Sequence, residues 1–166
     1  MMNRIHKILL ILKAIPKTLV FNFKYFPVRD AIKLPIIVSH RVRLQKMNGS
    51  VEIDSPIKFN MIRIGFHENP IFDQKNTYAV WNNEGKVSFS GNAYLGNGSC
   101  IANFGALKLG NNFQMSGNSS IVCKSDISFG NDVLIGWNCT FIDGDAHKIY
   151  YNKSMHVCGG ERTTKY

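Results

Sequence analysis

Three consecutive twenty-residue segments, FSGNAYLGNGSCIANFGALK (89–108), LGNNFQMSGNSSIVCKSDIS (109–128) and FGNDVLIGWNCTFIDGDAHK (129–148), align without a gap. An internal period of this length narrows the possible architectures sharply, because each unit must bury its apolar face against the next copy. Within the units a step of six falls on large apolar residues: Phe89, Leu95, Ile101 and Leu107, then, after a two-residue offset, Leu109, Met115, Ile121 and Ile127. A second offset leads to Phe129, Ile135 and Phe141. Gly or Ser often follows the leading residue (Gly96, Gly110, Ser116, Gly136) and Asn comes next at 97, 111 and 131, types suited to tight corners and positive φ. Ala93, Ser99, Gly105, Ser119, Ser125 and Cys139 supply small side chains four residues after the leading positions. The spacing predicts an all-β chain of short extended runs, three per turn, with the large residues pointing inward. Three such coils rise only about 14 Å, so further coils, caps or partner chains are required for stability.

The charge is unevenly placed. Residues 1–49 hold ten of the 20 Lys and Arg against a single acidic residue, Asp30, so the formal net charge of +9 resides in this third of the chain. Such a segment suits nucleic acid, an anionic membrane surface or a solvated leader. No nucleic-acid-binding module accompanies it, which argues against the first. Ile5, Ile8, Leu9, Leu12 and Ile15 fall at helical spacing, and Pro16 is expected to end that helix. The apolar run is too short for a membrane span and lacks a cleavage pattern for a signal peptide. Two roles stay open for residues 1–26: peripheral contact with a membrane, or packing on the β-structure or a second subunit.

Cys100, Cys123, Cys139 and Cys158 form no CxxC pair and sit among small-residue positions, as expected for packed thiols in a cytoplasmic protein. Glycine motifs for dinucleotides or phosphoryl groups are absent. Trp81, Asn82 and Asn83 precede the first clear coil and are expected to cap it, with contact to a sugar through stacking and hydrogen bonds as the alternative.

The period, together with LPIIVSHRVRL, WNNEGKVSFSG and LIGWNCTFIDGDAH, resembles the hexapeptide-repeat acyltransferases, in particular the bacterial branch that O-acetylates capsular and other surface polysaccharides. The resemblance implies a left-handed parallel β-helix over residues 30–149, with clear coils at 89–148, preceded by a basic helical or irregular leader (1–29) and followed by a short irregular tail (150–166). It also implies acetyl-CoA as acyl donor, a carbohydrate acceptor and a homotrimer; the cysteine pattern speaks for no metal and for the cytoplasm, at the inner face of the membrane if the leader is an anchor.

His147 stands six residues after Phe141, where the next inward residue is due, so the phase breaks where a titratable side chain arrives. Neutral imidazole suits removal of a proton from an attacking hydroxyl, and the resembling family uses the His corresponding to the end of this DxDxH run (Asp143, Asp145, His147) as general base. Asp145 is the expected partner of that imidazole. Asp143, Trp137 and Asn138 are candidates for contact with the acceptor, although a corner Trp equally suits a coil or subunit contact. His6, His40, His67 and His156 have no comparable setting. The resembling enzymes continue for several coils beyond this His to build the acyl-CoA cleft, which raises a truncated, non-catalytic β-helix remnant as the alternative to catalysis. N-acetylation of an amino sugar is the other alternative.

Overall fold

The computed structural model describes residues 4–66, 77–145, 149–151, 154–156 and 163–165. Its β-structure runs as successive coils through three parallel sheets, visited in the same order each time. The first coil contributes β1 (Ile36–Val38), β2 (Val42–Met47) and β3 (Ser50–Ile53); the second β4 (Ile62–Phe66), β5 (Ala79–Asn83) and β6 (Lys86–Phe89). The third holds β7 (Ala93–Gly96), β8 (Cys100–Asn103) and β9 (Ala106–Leu109), and the fourth β10 (Phe113–Met115), β11 (Ser120–Cys123) and β12 (Asp126–Ser128). A fifth begins with β13 (Leu134–Ile135) and β14 (Thr140–Ile142). Stacking aligns β1, β4, β7, β10 and β13 in one sheet, β2, β5, β8, β11 and β14 in a second, and β3, β6, β9 and β12 in a third. This is a parallel β-helix-like arrangement.

The repeat read from the sequence is the physical register of the later coils. Leu95 pairs with Met115 and Met115 with Ile135; Ile101 pairs with Ile121 and Ile121 with Phe141. The inward positions from Phe89 to Ile135 are buried in one continuous core, and Phe141 packs against it from the last coil. The two-residue offsets also have a structural cause. Leu107 and Leu109 alternate on the same strand and both point inward, as do Val87 and Phe89.

Two coils precede the three visible in the sequence. Ile36 pairs with Ile62, and Ile62 with Ala93, separations well beyond twenty that hide the period. Trp81, expected in a cap, instead lies inside the second coil: it is fully buried, in register between Leu44 and Ile101. Its indole N–H donates to the Tyr25 hydroxyl at 3.0 Å, and its ring meets Phe21 edge-on at 5.1 Å.

Those two partners belong to helix α1 (Arg4–Tyr25), which is the true cap. The helix continues through Pro16 instead of ending there. Pro16 forfeits one intrahelical donor, yet the turns beyond it are fastened to β1 by Thr18 and Asn22, both buried. Val38 N–H donates to Thr18 Oγ1 at 3.0 Å; Ile36 N–H donates to Asn22 Oδ1 at 3.2 Å, and Asn22 Nδ2 returns a bond to Ile36 O at 2.6 Å. Side chains thus serve the open edge of β1, where an unpaired strand would expose its amides. A short helix α2 (Val28–Ala31) links α1 to the first coil. No helix among the described residues is long and apolar enough to cross a membrane.

The tail, expected to be irregular, contains ordered pairing. β15 (Ile149–Tyr151) and β16 (Ser154–His156) form an antiparallel pair, and β17 (Thr163–Lys165) rejoins the third sheet beside β12, with Asp126 opposite Thr163. The fifth coil is thereby completed by residues far along the chain from β14.

Candidate functional site

The second inward position of the middle sheet carries a polar column. Asn83, Asn103 and Cys123 are in register there, and Asp143 extends the column one coil further. Asn103 Nδ2 donates to Asn83 Oδ1 at 2.8 Å and to Lys86 O at 3.1 Å, tying one coil to the next through side chains. These small polar groups sit where the chain turns from the second sheet to the third, and where bulk would force the corner open.

Asp143 closes the column. In earlier coils the corner amides donate to the main chain of the coil above: Phe104 N–H to Cys123 O and Ala106 N–H to Ser125 O, each at 2.8 Å. At the fourth coil a carboxylate takes that place. Asp143 Oδ1 accepts from Lys124 N–H at 2.6 Å, and Oδ2 accepts from Ser125 N–H at 2.8 Å and Asp126 N–H at 2.7 Å. Burial alone pushes this carboxyl up, but the backbone amides gathered round it outweigh that and hold it below the ordinary carboxylate range. The group read as an acceptor contact therefore has both oxygens engaged by the protein's own main chain.

Beyond Asp143 the chain passes over Lys124, whose ammonium donates to Asp145 O at 3.3 Å. The Asp145 side chain is exposed. His147 lies outside the described residues. Lys124 was not singled out in the sequence, because nothing in the period distinguishes an exposed corner lysine from a solvated one.

Trp137 and Asn138 occupy a different corner, between the first and second sheets. Asn138 has a left-handed backbone (φ 57°) and continues a line of such corners through Asn118 (φ 60°) and Gly98 (φ 77°). Its identity is thus accounted for by backbone conformation, since Asn tolerates this region better than most residues. Ser119 braces the same corner, donating to Gly136 O at 2.8 Å and accepting from Cys139 N–H at 3.1 Å. Trp137 remains 52% exposed above that brace. β14 separates the two corners; five residues of extended chain from Asn138 to Asp143 span about 16 Å. Asp143 and Asp145 both meet Lys124, the first by its carboxylate at the Lys124 amide and the second by its main-chain carbonyl at the ammonium, whereas Trp137 and Asn138 lie at a separate corner.

No protein-family model matches the chain, and neither a curated protein nor a solved structure does.

Two of the thiols, Cys123 and Cys100, are poorly suited to nucleophilic work. Burial, reinforced by the neighbouring Asp143 carboxylate, pushes Cys123 up to about 12, and burial also raises Cys100. Cys100, Cys123 and Cys139 are all free. Among the described residues no cluster of His, Cys, Asp or Glu is arranged to hold a metal ion. His40, set aside in the sequence, lines a small cleft with Ser39, Gly65, Phe66 and Asn97. Burial and then the charges of Arg41, Lys13 and Lys17 lower its pKa, and its Nδ1 is buried with no hydrogen-bond partner among the described residues.

Proposed function

We propose that this chain is an acetyl-CoA-dependent O-acetyltransferase acting on a sugar hydroxyl of a surface polysaccharide or its precursor, with His147 as general base. On this reading the coils are left-handed and the working form is a trimer, as in the enzymes the repeat resembles. The observation that carries the reading is the clamp on Asp143. A carboxylate held by three consecutive amides fixes the point at which the DxDxH segment (Asp143, Asp145, His147) leaves the coils, so that Asp145 follows a fixed support.

The chemistry follows from what the residues offer. Neutral His147 takes the proton of the acceptor hydroxyl as that oxygen attacks the thioester carbonyl. The tetrahedral intermediate then collapses, the carbon–sulfur bond breaks, and the CoA thiolate leaves as a thiol after protonation by the imidazolium. Asp145 stabilises the charged imidazole. Direct transfer needs no acyl-cysteine, and burial, which raises the pKa of Cys123 and Cys100, disfavours either of those two as a nucleophile.

Thiol release from acetyl-CoA in the presence of candidate glycans tests the proposal. His147→Ala should lower kcat/KM about 10² to 10⁴-fold. An undiminished rate removes His147 from the mechanism. Absence of turnover together with absence of CoA binding favours a non-catalytic β-helix.

A further inference from the structure

Helix α1 is apolar on two sides, unlike an ordinary surface helix, which turns one apolar stripe to the core and a polar stripe to water. It buries Ala14 and Phe21 against the coils and carries a second, exposed apolar stripe as well. The side facing the coils carries Thr18 and Asn22, bonded to β1, and Lys17, whose ammonium donates to His40 O at 2.7 Å. The opposite side carries Leu9, Leu12, Ile15, Leu19 and Phe23, each between 41% and 54% exposed, at the three- and four-residue spacing of one helical face. Exposed lysines, Lys13 and Lys24, border this stripe, and residues 4–25 contain no acidic side chain.

We infer that this outward face of α1 binds in the plane of an anionic lipid bilayer, holding the first coil against the membrane surface. A stripe this apolar, on a helix too basic to span, suits the boundary between headgroups and acyl chains, where a helix lies about 5–10 Å deep. The bordering lysines meet anionic headgroups, each contributing roughly fivefold to affinity. Charge also discriminates against a second copy as occupant: two α1 faces laid together would oppose lysine to lysine with no carboxylate on either helix. The inference is independent of acetyl transfer and is read by lipid binding alone.

The test is co-sedimentation of the full chain with vesicles of phosphatidylcholine, either pure or mixed with phosphatidylglycerol. Binding is expected to the mixed vesicles and to fall with salt. Leu12→Asp, Leu19→Asp and Phe23→Asp combined should abolish it while leaving the melting temperature unchanged, since these side chains point away from the core. Lys13→Gln with Lys24→Gln should weaken it by roughly 25-fold. A Leu19→Trp variant supplies a readout that needs no loss of binding: brominated lipid should quench the added indole fluorescence. Failure of the parent chain to bind mixed vesicles overturns the inference, as does added fluorescence that brominated lipid leaves unquenched in the Leu19→Trp variant. So does a triple variant that sediments as a smaller species yet keeps full vesicle binding, which would show that the face joins two copies.

Discussion

Asn22 pairs with Ile36 as a neighbouring strand would, accepting from its amide and donating to its carbonyl, while the same Nδ2 also reaches Thr18 O at 2.7 Å. One buried amide side chain thus satisfies the strand edge and the helix at once. Asn22→Ala leaves those groups buried and unpaired, and should cost about 1–3 kcal/mol. Urea unfolding checks this: the midpoint should fall with little change in slope. An unaltered midpoint would mean that α1 does not cap β1.

The Asp143 clamp should be visible in the pH dependence of stability. Its carboxyl lies below the ordinary value of 3.8 when folded. A depressed folded pKa stabilises the protein above the unfolded pKa, and that stabilisation disappears as pH falls from about 5 through the lower folded value. Asp143→Asn should therefore destabilise the fold by about 1.5–3 kcal/mol at pH 7, and the gap between the two proteins should narrow in acid. Thermal melts at pH 7 and pH 3 measure it. A gap that is constant with pH would remove the carboxylate from the corner.

Gly98 and Gly136 offer a contrast between two different corner positions, one in the third coil and one in the fifth. Gly98 has φ 77°, and a Cβ there would collide with Asn118 Oδ1, whereas none of the described residues stands within 4 Å of a Cβ at Gly136. Gly98→Ala should cost roughly 1–3 kcal/mol and Gly136→Ala less than about 0.5 kcal/mol. Equal losses in differential scanning calorimetry would contradict the corner geometry.

Cys123 should resist alkylation in the native protein. With its thiol pushed up to about 12, almost no thiolate exists at pH 8. Iodoacetamide labelling mapped by mass spectrometry should leave Cys123 unmodified until the protein is unfolded. Rapid native labelling would show that the polar column opens in solution.

The later coils were legible because an inward residue every six positions survives any choice of side chain at the corners. The first two were not, since long connections between β3 and β4 and between β4 and β5 change the spacing, so Trp81 read as a boundary residue when it is core. The helix was legible in its stripe but not in its orientation. Periodicity reveals which residues share a face, and only contacts such as Asn22 to Ile36 reveal which face looks inward. At the site, Asp143 and Asp145 were recognisable as a pair from their motif. The amides of Lys124, Ser125 and Asp126 that bind Asp143 were invisible, because backbone donors leave no mark on residue identity.

From Ala93 to Ile142 each strand faces residues twenty positions away. Changes of length in this stretch are consequently quantised. Adding or removing one whole turn preserves every neighbour relation above and below it, whereas a single-residue insertion within a strand turns the following inward side chains out to solvent. Variation in such a chain should proceed by gaining or losing entire storeys, or by enlarging the corners, with little between.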